Sequence, residues 1–384
     1  MNVVIYESDT ESFFPLIDLY PQYDLRIGLK TVTEHAASLF PKARIRFLAR
    51  DQFKLKKPVI HGPAVYLSAQ ALMLERWAVP RVDTRLVIGS HDAGFVRHAP
   101  PFPITSAAVK QIARTIKHTH SVEGIFLETP MDIVKYNEKV MSYQFRMMRP
   151  CRAVPKKITI IGNKKALYLM PDTQIDALSV IDVSHGPVLI EKGAVVKPFS
   201  VICGPSYIGA GTIVDRAKII GSSIGPRCRV GGEIEGCVFQ GFSNKYHEGF
   251  IGHSFVGEWV NLGALTTNSD LKNNYGEVRI MIKKKKINTG MIKCGCFIGD
   301  HTKTGIGTLI STGAVIGCFV NFFGGGMMPR YVPRFRWLST GSTKTYILAK
   351  ALETARTVMK RRNVVMSEDY EGLIRRCYRW RNSS

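Results

Sequence analysis

The sequence predicts an α/β N-terminal domain followed by a parallel β-helix of hexapeptide repeats and C-terminal helices. Three features predict this. Strand-length apolar runs alternate with helix-length segments over residues 1–150, aliphatic residues then recur every six positions, and helix-forming composition takes over near the C-terminus.

In the first half, VVIY (3–6), IRFLA (45–49), VYLSA (65–69) and IFLET (125–129) have the length and composition of buried strands. Runs of this kind, separated by helix- or loop-length segments, favour a largely parallel sheet. PCRAVPKK (150–157) is short, basic and proline-bearing, as a linker would be. The expected domains are therefore 1–155, 156–330 and a helical segment at 331–384.

From residue 186 the pattern changes. Ile190, Val196, Ile202, Ile208, Val214 and Ile220 lie six apart, with Gly, Pro, Ser and Ala between them. A period of six fits neither an amphipathic helix nor a hairpin sheet. It describes a coil of three short sides, whose aliphatic residues point inward and stack from turn to turn while small residues make the corners. The repeat slips through 224–262 (Ile251, Val256, Leu262) and returns at Ile298, Thr304, Ile310, Ile316 and Phe322. That gives roughly six to seven turns between 186 and 326. Two stretches, 236–250 and 268–290, interrupt it and are expected to leave the stack as loops. Residues 343–362 and 367–380 are expected to be helices that cap or flank the last coil.

Composition narrows the function. Of the 384 residues, 45% are hydrophobic and 22% charged, which is the balance of a folded chain. No apolar run reaches the ~18 residues of a membrane span, and MNVVIYESD is not a secretory signal, so a cytoplasmic protein is expected. The net charge of +23 draws polyanions of any kind, from nucleic acid to sugar phosphates and coenzyme A. No zinc-finger, helix-turn-helix or RNA-binding pattern accompanies it, so no nucleic-acid partner is expected. The eight cysteines form no CxxC pair and read as reduced, mostly buried thiols.

SNKYHEGFIGHSFVGEWVNLGALTTNSDLKNNY (243–275) resembles the acetyltransferase segment of the bifunctional N-acetylglucosamine-1-phosphate uridylyltransferase/glucosamine-1-phosphate acetyltransferase family. In that family a general-base His precedes a VNIGAGT repeat in a left-handed β-helix, and His247 stands fourteen residues before Asn261 of VNLGALT. The chemistry suits an imidazole. An amino-sugar amine is mostly protonated near neutral pH and must lose a proton before it attacks a thioester. The resemblance implies that His247 is the catalytic base and that Lys245, Asn261 and Lys272 meet the substrate. Asn268 or Asp270 stands for the family's next substrate Asn. Ala264 and the GDHTKTGIG coil (299–307), with Gly305 and Ile306, would line the acetyl-CoA channel. Phe250 stands where the family has a Tyr. A homotrimer is expected, with active sites between neighbouring coils, because an isolated stack of coils leaves a flat face exposed.

FFPLIDLYPQYDLRIGLKTVTEH (13–35) resembles the opening of a divergent sugar-nucleotidyltransferase branch found fused to such β-helices. Asp24, Leu25, Arg26, Gly28, Thr31 and Glu34 fit its pattern, as do Asp132, Ile133 and Asn137 further on, while Tyr20 replaces an expected Arg. Arg26 and Gly28 are the nucleotide-binding candidates, and Mg²⁺ would be needed if this domain turns over nucleotide. The glycine-rich phosphate loop is absent: no GxG occurs in the first 150 residues.

The expected activity is thus acetyl-CoA-dependent N-acetylation of an amino-sugar phosphate or nucleotide-linked amino sugar. The alternatives are nucleotidyl transfer to a sugar-1-phosphate, or a scaffold that binds nucleotide sugar or coenzyme A without turnover. His253 and His301 raise a further possibility, a metal held between subunits as in trimeric β-helix carbonic anhydrases. That family lacks an N-terminal domain of this kind, and its ligand spacings match poorly here.

Overall fold

A computed structural model describes residues 1–148, 158–282 and 285–381. The expected linker at 150–157 lies outside these residues. The chain forms two compact units: Met1–Phe13 with Tyr20–Leu25 and Lys30–Thr129, and Phe14–Leu19 with Arg26–Leu29 and Pro130–Ser384.

The first unit is built on a six-stranded sheet in the order Arg44–Leu48, Asn2–Tyr6, Ala64–Ser68, His91–Arg97, Thr84–Ile88, His118–Ser121. Its first three strands are parallel, as the buried apolar runs predict. The sheet as a whole is mixed, because His91–Arg97 runs antiparallel to both neighbours. IFLET does not join it: Gly124–Phe126 pairs instead with Ala71–Met73. Helix α1 (Val32–Leu39) begins at a capping box in which Thr31 accepts from the Glu34 amide and Glu34 accepts from the Thr31 amide. Helix α2 spans Ser106–Ala113.

The second unit is a parallel β-solenoid of about ten turns, of the left-handed β-helix type. One side stacks nine strands, from Leu167–Leu169 to Tyr331–Val332. A second side runs through Val201–Cys203, Phe250–Gly252, Thr267–Asn268, Thr308–Ile310 and Gly326–Met328. The third includes Val195–Val196, Asn244–Lys245, Lys303–Thr304 and Asn321–Phe322. Ile190, Val196, Ile202, Ile208 and Val214 all point inward and are fully buried, each contributing on the order of 2 kcal/mol by burial. In the sixth position the inward residue is Ile219, not Ile220, because the ladder shifts register between Val214 and Ala217.

The solenoid is longer than the repeat suggests. It starts at Thr159–Ile161, and strands Tyr331–Val332, Arg336–Ser339 and Ser342–Thr345 extend it into the stretch expected to be helical. Residues 236–250 stay in the stack, as strands Val238–Phe239 and Asn244–Lys245. Only the later interruption leaves it, as an antiparallel hairpin of Arg279–Ile282 with Lys285–Asn288. Helix α3 (Pro130–Arg146) precedes the solenoid, and α4 (Leu348–Lys360) and α5 (Glu368–Arg379) follow it. Among the described residues, no helix is long and apolar enough to cross a membrane.

One corner is an aromatic ladder. Phe242, Trp259, His301, Phe319 and Phe335 occupy it in successive turns, all at positive φ, with ring centroids 4.4, 6.2, 4.6 and 4.8 Å apart. Helix α5 closes over it: the Tyr378 ring meets Phe335 edge-on, and Tyr370 hydrogen-bonds His301 Nε2 at 3.0 Å.

Candidate active site on the solenoid

The coil that carries the family-like segment departs from the aliphatic stack at two inward positions. Lys245 sits in register with Val230, where Val196 and Val214 stand in earlier turns, and is 1% exposed. Asn268 lies between Ile251 and Ile310 on another side and is also buried. An ammonium or amide in such a place costs several kcal/mol unless its hydrogen bonds are made. Both are made. Lys245 Nζ donates to the carbonyls of Gly231, at 3.0 Å, and His247. Burial pulls its pKa down to about 8. Asn268 accepts from the Gly252 amide at 2.7 Å and donates to its carbonyl at 3.0 Å. Its side chain thereby does the work of a backbone rung.

His247 occupies the corner between Asn244–Lys245 and Phe250–Gly252, where it is exposed and meets the Tyr246 ring edge-on at 5.6 Å. The Leu265 amide bonds the Glu248 carbonyl, and the Gly307 amide bonds the Ala264 carbonyl, each at 2.8 Å. His247, Ala264, Gly305 and Ile306 therefore stack along one edge in three successive turns. The edge is apolar and open: Leu265 is 56% and Ile306 71% exposed. Gly249, at φ 128°, must be glycine, since a Cβ would lie 2.2 Å from the Thr266 carbonyl oxygen.

The other predicted residues are distributed over two further places. Asn261 is exposed on the third side, accepting from Asn244 Nδ2 at 2.9 Å. Asp270 and Lys272 lie past the far end of Thr267–Asn268. There a groove of 810 Å³ is lined by Thr267, Lys272, Asn273, Asn274, Leu309 and Met327, among others. Sequence reasoning missed what Asp270 does. It accepts from His253 Nδ1 at 2.7 Å, and that hydrogen bond holds its carboxyl below the ordinary range. The available signal was spacing: the two residues are seventeen apart, as are Ile234 and its partner Ile251 one coil on.

Arg26 and Gly28 are used within the second unit. Arg26 is 5% exposed, with its amide on Gln240 Oε1 (2.9 Å), Nη1 on the Leu29 carbonyl (3.0 Å) and its guanidinium over Tyr207. The Gly28 amide, at φ 66°, donates to Asn137 Oδ1 at 2.8 Å. In the first unit, a cavity of 590 Å³ is lined by Arg50, Lys54, Lys56, Lys57 and the start of α2.

Among the described residues, the group of three ligand-type side chains close enough to share an ion is Asp18, Cys318 and Cys377. Arg334 already lies 3.1 Å from Asp18, and two buried thiols with a guanidinium do not suit Mg²⁺, which wants oxygen ligands. His301 is a neutral ladder rung, its pKa driven well down by burial.

No family model matches the chain. It is 33% identical over 159 residues to the bifunctional sugar-1-phosphate nucleotidylyltransferase/acetyltransferase of Sulfurisphaera tokodaii, covering 38% of each chain. It is 34% identical over 147 residues to the bifunctional protein GlmU of Methanococcus aeolicus, covering 35% of this chain and 34% of that one. With the GlmU of Methanocaldococcus jannaschii it shares 31% over 165 residues, 39% and 38% of the two. The matches thus span little more than a third of these relatives' length. An Arabidopsis UDP-N-acetylglucosamine acyltransferase structure aligns over 54% of this chain and 77% of its own at 11% identity, with a TM-score of 0.23.

Proposed function

We propose that the chain is an acetyl-CoA-dependent N-acetyltransferase of nucleotide-sugar biosynthesis, acting on an amino-sugar phosphate or nucleotide-linked amino sugar. The observation that carries this reading is the edge on which His247 stands above Ala264, Gly305 and Ile306 in consecutive turns. His247 takes the amine proton, the freed nitrogen attacks the thioester carbonyl, and coenzyme A leaves as its thiol. Asn261 and Lys272 orient the sugar and its phosphate. The acyl donor lies along the apolar edge of Ala264 and Ile306. Lys245 does not contact substrate here; it fixes the His247 corner from inside. Exposed Leu265 and Ile306 favour a homotrimer in which this edge is covered.

His247→Ala should abolish transfer while coenzyme A still binds by calorimetry. Equal transfer by the variant, across every acceptor the wild type uses, overturns the reading.

A second reading concerns the first unit, whose 590 Å³ cavity has a cationic wall suited to a nucleotide or sugar phosphate. Binding of UTP or dTTP weakened by Lys56→Glu supports it, and Mg²⁺-dependent pyrophosphate release would extend it to turnover. Equal binding by the variant counts against it.

A further inference from the structure

Beneath α5, the position before each ring of the aromatic ladder is held by Glu258, Asp300, Cys318 and Arg334 in successive turns. They form one column, because the His301, Phe319 and Phe335 amides bond the carbonyls of Glu258, Asp300 and Cys318 at 2.8, 2.8 and 2.9 Å. Cys377 of α5 meets Cys318 there, and Asp18 reaches the same place from the Phe14–Leu19 segment. Cys318 is fully buried, with Cys377 1% and Asp18 8% exposed. The two sulfurs are 3.7 Å apart, and the three donor atoms lie within 4.8 Å of one another. Two thiolates held at ~2.3 Å by a tetrahedral Zn²⁺ stand about 3.8 Å apart, so the pair already has the spacing of such a site.

A second observation points to a cation. Asp300 is 1% exposed, one turn and so about 4.8 Å from Cys318. Its Oδ1 accepts from the Glu258 amide at 2.7 Å, but among the described residues no donor reaches Oδ2. A buried carboxylate oxygen without a donor is costly unless positive charge stands near it. Arg334 lies 3.1 Å from Asp18, and one guanidinium cannot balance two carboxylates and two thiolates. With a divalent ion added, the charges nearly cancel.

We propose that Asp18, Cys318 and Cys377 bind a zinc ion that pins α5 and the Phe14–Leu19 segment to the solenoid, with Asp300 as the fourth group of the site. Each thiol gives its proton to water as its sulfur binds the metal, so ion uptake and the docking of α5 are coupled. Arg334 then hydrogen-bonds a ligating carboxylate, as partners behind metal ligands do. Two sulfur ligands select zinc over Mg²⁺ or Ca²⁺. The site lies on a different corner from His247 and is closed over by α5, so its role is structural.

The intact protein, stripped with a chelator and dialysed, should take up one Zn²⁺ per chain in calorimetry. Co²⁺ in its place should give thiolate-to-cobalt charge transfer together with the visible bands of a tetrahedral site. Cys318→Ser and Cys377→Ser should each weaken that charge transfer, and Asp300→Asn should lower Zn²⁺ affinity about tenfold. Cys294→Ser, outside the cluster, should change neither. Zn²⁺ should also slow amide hydrogen exchange in α5, and Mg²⁺ should not. No uptake of Zn²⁺, a Co²⁺ spectrum without charge transfer, or a spectrum unchanged by both serine substitutions overturns the proposal. Should the serine variants fail to fold, the wild-type Co²⁺ spectrum and the α5 exchange rates decide.

Discussion

Lys245 reaches from an inward position of its coil to place its ammonium on the carbonyl oxygen of His247, with the Gly231 carbonyl as its second acceptor. The corner that presents the proposed base is thus anchored from inside the solenoid by a charge that water does not reach.

This anchoring has a pH signature. The pKa of Lys245 is near 8 when folded, against 10.5 for the free side chain. The cost of burying its charge is fully present below pH 8. Between pH 8 and 10.5 the unfolded chain holds the proton that the folded chain has released, so stability rises with pH. A shift of this size corresponds to about 3 kcal/mol. Urea unfolding across this window should therefore show wild type gaining about that much relative to Lys245→Met. A constant difference between the two would mean that the ammonium is not buried. The variant should also lose acetyl transfer at least tenfold, since His247 is no longer held.

Asn268 offers a test in which hydrophobicity and hydrogen bonding disagree. Asn268→Leu restores the aliphatic stack between Ile251 and Ile310, yet it removes the acceptor of the Gly252 amide and leaves the Gly252 carbonyl with the Ser254 hydroxyl as donor. An unpaired buried amide costs about 1–3 kcal/mol. The variant should melt below wild type; a higher Tm would show that the amide is not acting as a rung.

How much of this could be read from the chain depended on which residues repeat. Ile190 to Val214 declare the coil because five inward positions keep one period. Residues 236–250 look like an insertion because their inward residue on one side is Lys245, and an apolar pattern cannot reveal a lysine that satisfies itself on carbonyls. Ile219 replaces Ile220 because a corner shortens, and corner length leaves little trace in composition. His247, Ala264 and Ile306 could be identified one by one from the resemblance, but their alignment on one edge depends on how many residues each turn contains. The His253–Asp270 pair depends on the same count.

Arg26 separates a packing role from a nucleotide-binding one. Arg26→Met gives up its contacts with Leu29, Gln240 and the Tyr207 ring. It should destabilise the fold by about 2 kcal/mol, with UTP affinity in calorimetry unchanged. A tenfold weaker affinity at unchanged stability would return Arg26 to the nucleotide.

His301→Phe should preserve the aromatic ladder and lose only the hydrogen bond to Tyr370, about 1 kcal/mol. Burial lowers the His301 pKa well below 6.5, so the unfolded chain gains a proton first as pH falls, and wild type loses stability below pH 6.5. The phenylalanine variant should escape this loss, and its relative Tm should improve from pH 7 to pH 5. A constant difference would mean that His301 titrates normally.

The central claim is that the solenoid acetylates an amino sugar. It is tested most directly by mass spectrometry of wild-type reactions containing acetyl-CoA and either amino-sugar-1-phosphates or UDP- and dTDP-linked amino sugars. The account predicts at least one acceptor gaining one acetyl group on its amine nitrogen, with one coenzyme A released per product. Coenzyme A binding with no acetylated product from any acceptor would contradict it and leave a binding scaffold.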